Sequence, residues 1–369
     1  MNTLRRLIYR EVAVSVGFVT LAFLALFFFF DLVDELRWVG RSGPGGYQLS
    51  QALLYVILSL PQHLYELLPI TVLIGTIFVM ARLAQSSEFT IMRTSGLGPG
   101  RALGTLLMLG GAFVVLTFAV GDYIAPASER AAQLVGARHL GQLSTGATGA
   151  WLKERQGGHS RAINVRALGT DGRMRGIRVF EFDEQGRVAA TLSAELGDFD
   201  DSGEAWNLQQ VRSSLFEHGR DDQLRVQRTT EAQLRWSTRI TPSMVGASLL
   251  KPDKMATIEL FQYVRHLQAN GQSAQRYEIE FWRKVFYPLS CLVMVVLSLP
   301  FAYLHFRSGG IAGYVFGGVM AGISFFLLNN LFGFAGNLQH WSPWLTAAAP
   351  GLIYSALSLA AFGWLVLRR

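Results

Sequence analysis

The residues best placed to act on something outside the chain are charged, and they gather where long apolar stretches end. Gln85-Ser86-Ser87-Glu88-Phe89-Thr90-Ile91-Met92-Arg93-Thr94-Ser95-Gly96 has serine N-cap candidates, an acid in the first turn, an apolar Phe89/Ile91/Met92 group and a glycine stop. This pattern predicts a short helix at about 86–95, which a loop joining two spans does not need. It fits either docking to a partner or an interfacial helix lying among lipid headgroups. A second group, Arg37, Arg41, Arg283 and Lys284, follows or precedes an apolar stretch. Such bases bind anionic headgroups or phosphates through forked donors, or serve as snorkelling anchors.

Catalytic patterns are missing from the sequence. No segment has the Gly-x-x-x-x-Gly-Lys-Ser/Thr spacing that cradles a nucleotide. Ser95-Gly96-Leu97-Gly98-Pro99-Gly100 reads as a helix stop and turn. The seven histidines show no paired ligand spacing, and no serine sits in a nucleophile elbow. An intramembrane enzyme needs ionisable groups inside its spans, and the apolar runs have almost none at their centres. The expectation is a chain that is not an enzyme, with no metal and no cofactor of its own.

The elements that position these charges are apolar runs long enough to cross a bilayer, which takes roughly 20 residues as a helix. They are Val12 to Phe30, Leu53 to Leu83, Ala102 to Ile124, Phe286 to Phe306, Ile311 to Phe334 and Leu345 to Leu367. The second exceeds one perpendicular crossing and contains Pro61 and Pro69, which predicts a long, tilted and kinked helix. The chain has 369 residues, half of them hydrophobic, and a net charge of +7 that does not signal nucleic-acid binding. Its bases near the inner ends of the runs are Arg5, Arg6, Arg10, Arg82, Arg93, Arg101, Arg307, Arg368 and Arg369. The positive-inside rule then places both termini in the cytoplasm and the polar insert outside it. The first run serves as the signal, without a cleavage pattern.

Between about 127 and 256 the periodicity changes to two. Ala162 to Leu168, Ile177 to Phe182 and Leu224 to Gln227 read as half-buried strands, separated by turn signals at 170–172, 183–186, 200–203 and 218–221. This predicts an antiparallel sandwich or open barrel without disulfides, since the only cysteine is Cys291 in the fourth run. Residues 257–276 return to helical spacing, either at the outer membrane face or packed on the β domain. Small residues at Gly309, Gly313, Gly317 and Ala321, with Gly318 and Gly322 beside them, predict close helix contact in the fifth span.

Three spans (1–126), an inserted β domain and three further spans (277–369), together with Leu83 to Glu88, Met92 to Gly96, Val33 to Arg37, Gly121 to Pro126 and Gly271 to Leu289, resemble the YjgP/YjgQ permeases of the lipopolysaccharide exporter. The segment before the fourth span resembles the LptG branch more than the LptF branch. The resemblance covers essentially the whole chain. It implies six transmembrane helices, three and three, around a periplasmic antiparallel β domain of open jelly-roll type, in the inner membrane of a Gram-negative bacterium. It further implies an LptF-like sister permease, an LptB-like ATPase dimer that binds ATP and Mg, an LptC-like single-span protein and an LptA-like periplasmic bridge. The resemblance also implies that lipopolysaccharide enters laterally, between the first span of one permease and the fifth of the other. Glu88, with Phe89, Ile91, Met92 and Arg93, matches the coupling helix that docks on the ATPase. Arg37 matches a base that meets lipid A phosphate, with Arg41, Arg130, Arg138, Arg283 and Lys284 nearby in the same role. Phe27, Phe30, Gly313, Gly317 and Ala321 fall on the lateral gate. Other readings of the same residues are a sister LptF-type subunit, a permease for another envelope lipid or lipoprotein, or a non-transporting scaffold.

Overall fold

The computed structural model describes residues 2–40, 47–86, 88–94, 98–140, 149–156, 159–168, 172–183, 185–200, 205–218, 224–242, 244–245, 252–303 and 311–367. Two compact units emerge. One comprises Met1–Val39, Ala52–Arg130 and Gln275–Arg369, the other Gly40–Gln51 and Ala131–Ala274.

The first unit is helical. Its elements are α1 (Asn2–Leu36), α2 (Leu49–Gln85) from Ala52 on, α3 (Glu88–Thr94), α4 (Pro99–Ala119), a π turn (Val120–Ile124) leading into α5 (Ala125–Leu140), which belongs to it as far as Arg130, then α7 (Gln275–Phe286), α8 (Ser290–Tyr303), α9 (Ile311–Leu338) and α10 (Pro343–Leu367). Among the described residues, six helical stretches are long and apolar enough to cross a membrane. Most extend past the apolar runs that announce them, because charged turns at the ends continue the same hydrogen-bond ladder. Pro61 and Pro69 lie within α2 without ending it. At 37 residues α2 is about 55 Å long, well beyond one hydrocarbon thickness.

α2 is the axis of this unit. Of its most apolar window 83% is buried, against 17% for α1 and 22% for α9. Its neighbours approach through small residues: a Cβ on Gly75 would sit 2.8 Å from the Val16 backbone, and Cβ atoms on Gly318 and Gly322 would meet Ile77 and Ile70. Lipid tails are as apolar as leucine, so such helices associate by close packing and interhelical hydrogen bonds rather than by escape from water. α1 runs antiparallel to α2, joined in turn by Glu11 to Arg82 at 2.7 Å, Thr20 to Thr71 at 2.9 Å and Asp31 to His63 at 2.7 Å. The opposite faces of α1 and α9 leave Phe18, Leu21, Phe29, Phe30, Phe316 and Phe334 exposed.

The second unit is built on one six-stranded antiparallel sheet, β1 (Ala150–Gln156), β2 (His159–Leu168), β3 (Met174–Phe182), β4 (Val188–Phe199), β5 (Ala205–His218) and β6 (Leu224–Ser237), in consecutive order. It is open, as expected, and its strand order is a plain meander. The turn signals all fall between strands. At the second of them, Asp183 accepts the N–H groups of Gln185 and Arg187 and pairs with the Arg187 guanidinium. Those contacts, the Arg187 amide first, hold its carboxyl below the usual aspartate range.

One face of the sheet is apolar. Ile163, Val165, Ile177, Val179, Ala194 and Val211 lie on it and are buried. The sheet creases where β3 and β5 depart from strand geometry, at Gly176 (φ +65°) and Gln210 (φ +55°). Past the crease the burial pattern moves to the alternate positions Met174, Gly197 and Leu208, where a side chain on Gly197 would strike Ile177 and Leu208. The chain leaving β6 is fastened back onto β1. Glu154, 2% exposed, accepts bonds from the Thr238 hydroxyl and the Arg239 amide, both at 2.8 Å, while the Trp206 indole donates to the Ile240 carbonyl at 2.7 Å. Two edge strands are thereby drawn toward each other without closing into a barrel.

α6 (Thr257–Ala269) belongs to this unit and buries Leu260, Tyr263 and Leu267, leaving Ile258 and Phe261 exposed. Glu259 accepts the Ala256 N–H at its start. Its end is a Schellman turn on Gly271 (φ +63°), with Gly271 N donating to Gln268 O and Gln272 N to Leu267 O.

Candidate functional site

Three groups of residues in the helical unit carry the chemistry. The first is α3. Phe89 and Met92 are 3% and 5% exposed and insert among Val79, Leu83, Ala102, Leu106, Leu299 and Tyr303. The Phe89 ring meets Tyr303 edge on, centroids 5.1 Å apart. Glu88 and Ile91 face outward, Ile91 at 63% exposure. The apolar trio read from the sequence therefore divides by period: residues three apart anchor the helix to α2, α4 and α8, and the acid and Ile91 are left for something else. The Arg93 side chain lies outside the described residues.

The second group sits at the far end of α1. Asp31 holds His63 while Phe27 packs on the same imidazole, centroids 4.8 Å apart. Phe30 points away, 56% exposed and edge on to Phe29. Arg37 follows in the turn after α1, its exposed side chain 3.3 Å from Asp34. Arg41 and Gly309 lie outside the described residues. Arg130 is exposed on α5, and the Arg138 side chain is not described.

The third group is buried polar chemistry that the near absence of ionisable residues at the span centres did not anticipate. Gln62 donates to Glu66 at 2.7 Å one turn along α2, and the Tyr287 hydroxyl donates to the Glu66 carbonyl at 2.5 Å. Lys284 is 4% exposed. Its Nζ donates to the Gly121 carbonyl at 3.1 Å and lies 5.6 Å above the Tyr65 ring. The π turn explains this bond. Val120 O accepts the N–H of Ala125, five residues on; the same step from Gly121 ends at Pro126, which has no N–H. Lys284 supplies the missing donor, and Gly121 has no side chain because a Cβ there would strike the edge of the Tyr65 ring. Lys284, expected among headgroups, instead ties α7 to the turn between α4 and α5. Its neighbour Arg283 is bonded to Glu280 at 3.3 Å and to Asn330 Oδ1 at 3.4 Å. The spacing Gln62, His63, Glu66 on one side of α2 was the available sequence signal for this group.

The glycines of α9 form two rows with different surroundings. Gly318 and Gly322 abut α2, whereas Gly313 and Gly317 have nothing within 4 Å of where a Cβ would stand. Ala321 is half-buried beside Leu73, Ile77 and Phe325. The exposed row leaves room for a further helix or an acyl chain at the surface of α9. Among the described residues no group of His, Cys, Asp and Glu is arranged to hold a metal ion.

α1 and α2 set the separation of the two charged ends: from Glu11 to Asp31 the rise is about 30 Å, the thickness of the hydrocarbon core. Comparison with known proteins bears on this arrangement. Residues 6–367 match the family model described as lipopolysaccharide export system permease LptF/LptG. The LptG permease of Escherichia coli strain K12 is 29% identical over 339 residues, which span 91% of this chain and 90% of that protein. The LptG of Haemophilus influenzae is 27% identical over 371 residues, spanning 100% and 99%. This six-span chain with its inserted open β sheet belongs to the LptF/LptG permease family of the lipopolysaccharide export system.

Proposed function

We propose that this chain is the LptG-type half of a permease pair that lifts lipopolysaccharide out of the outer leaflet of the inner membrane, driven by a separate ATPase docked at α3. The observation that carries the reading is the division of α3: Phe89 and Met92 fix it to the ends of three helices, and Glu88 and Ile91 face outward. A push on such a helix moves α2, α4 and α8 together, because a packed interior transmits displacement rather than absorbing it. Bases at 5, 6, 10, 82 and 101 lie at the α3 end, which supports a cytoplasmic position for both termini and a periplasmic one for the β sheet.

At the other end Phe30 and the exposed Leu331 and Phe334 of α9 offer apolar surface below Arg37, matching an amphiphile with acyl chains and a phosphorylated head. The open faces of α1 and α9 suit a sister LptF-type permease and, beside α1, a single-span LptC-type protein; an LptA-type bridge then receives the lipid. ATP and Mg belong to the LptB-type partner. The test is purification of the tagged full chain from its native membrane in mild detergent. The expected result is a stoichiometric assembly with one further permease and two ATPase subunits. Recovery of this chain alone, or as a homodimer without an ATPase, contradicts the reading.

A further inference from the structure

The sheet carries a second, unassigned surface on the side away from its apolar core. Strand register aligns two rows across all six strands. The first is Trp151, Asn164, Arg178, Ser193, Arg212 and Thr230; the second, two residues along, is Lys153, Ala162, Phe180, Thr191, Ser214 and Arg228. Side chains of paired residues project from the same face of a sheet, and residues two apart on a strand do likewise. Four cations therefore share this face and no carboxylate interrupts the two rows.

Five acids of the β unit are engaged elsewhere: Glu154 with Thr238 and Arg239, Asp183 with Arg187, Asp198 with Arg173, Asp200 with Arg235 and Glu181 with Arg161; Glu231 pairs in register with Val211, on the opposite face. The first carboxylate beyond the rows is Glu195, at the crease, which the Gln210 amide faces. Arg178, Arg212 and Arg228 make no ion pair among the described residues and line a concavity of about 430 Å³ together with Phe180, Ser193 and Thr230. Adjacent strands are about 4.8 Å apart, so Arg178 and Arg212, two strands apart, stand about 10 Å from each other with hydroxyls between them. At one border Trp151, 52% exposed, stacks on Phe180 with centroids 6.0 Å apart and planes 22° from parallel.

We infer that this face binds a phosphorylated saccharide, with Arg178, Arg212 and Arg228 on phosphate, Thr191, Ser193, Ser214 and Thr230 on sugar hydroxyls, and the Trp151–Phe180 pair under a ring. Each part follows from its chemistry. Guanidinium forks match phosphate oxygens bidentately, hydroxyls donate and accept as sugar hydroxyls require, and a flat aromatic surface covers the C–H side of a pyranose. The inference rests on the proposed transport reading for the identity of the saccharide, the phosphorylated glycan of lipopolysaccharide, which passes outside while the acyl chains need apolar shelter.

The experiment uses the full-length chain in phosphatidylcholine nanodiscs, titrated calorimetrically with deacylated lipopolysaccharide, a water-soluble phosphorylated oligosaccharide. Saturable binding is expected. The double substitution Arg178→Ser and Arg212→Ser, and separately phosphatase treatment of the oligosaccharide, should each weaken it at least tenfold, and Trp151→Ala should weaken it as well. Arg225→Ser, an exposed arginine outside the two rows, should leave it unchanged. The inference is overturned by no binding, by equal binding of the double variant or of the dephosphorylated glycan, or by capture of an acidic peptide in place of the glycan. Glycan binding by an assembly that extracts no lipid with ATP instead sinks the transport reading and leaves this site standing.

Discussion

Replacing Phe89 by alanine separates two roles that α3 gives to adjacent residues, anchoring by Phe89 and outward contact by Glu88. A helix of seven residues has no stability of its own, since nucleation costs more than so few hydrogen bonds return. Its order comes from what Phe89 and Met92 bury. Truncating a buried phenylalanine costs about 3–5 kcal/mol, part of it here the edge-on contact with Tyr303. Even at ~3 kcal/mol the docked fraction of α3 falls roughly a hundredfold relative to the undocked. Glu88 is exposed, so Glu88→Ala carries no such packing loss. Hydrogen exchange across residues 88–94, measured in the purified assembly, should therefore show protection lost in Phe89→Ala and kept in Glu88→Ala. Both variants should hydrolyse ATP without matching lipid extraction, for different reasons. Phe89→Ala with wild-type protection and wild-type extraction refutes the assignment of this side chain as the anchor.

Other substitutions follow from the same contacts. Gly121→Ala drives a methyl against the edge of the Tyr65 ring and should cost about 1–3 kcal/mol, read as a lower unfolding midpoint in detergent, while Gly313→Ala should be neutral because its Cβ meets nothing. Glu154→Ala strands a buried hydroxyl and a part-buried amide and should destabilise the β unit by about 2 kcal/mol, with Glu154→Gln, which keeps an acceptor, losing less; tryptophan fluorescence at Trp206 reports the unfolding. His266 has a pKa lowered by burial, opposed by the nearby Glu154 carboxylate. Its native form is neutral, so its contribution is complete above the unfolded value of about 6.5 and is lost as pH falls through the lower folded value. Thermal scans from pH 7.5 to 5 should show that decline, and His266→Gln should flatten it.

The spans and strands were legible because each is fixed by a local period: apolar runs of bilayer length on the one hand, alternation bounded by turns rich in Asp and Gly on the other. The boundary set at residue 126 shows where local rules end. The apolar run ends at Ile124, yet the helix continues through Pro126 as α5 to Leu140, because a π turn precedes the proline and Lys284, more than a hundred residues away, caps the freed carbonyl. A lysine at the end of a span reads as a headgroup anchor until that partner is known. Within α3 the period of three to four already distinguishes Phe89 and Met92 from Ile91, and the structure supplies only the direction of the core. The cation face of the sheet could not be seen in advance. Its residues are scattered from Trp151 to Thr230, and only strand register makes them neighbours.

The central claim is that this chain moves lipopolysaccharide by work delivered from a separate ATPase. Proteoliposomes carrying the chain with its copurified partners and radiolabelled lipopolysaccharide test it most directly, with release to a soluble acceptor followed over time. Release should require ATP, and Glu88→Ala should abolish it while the assembly stays intact. Release that proceeds equally without ATP, or at the wild-type rate in that variant, contradicts the account.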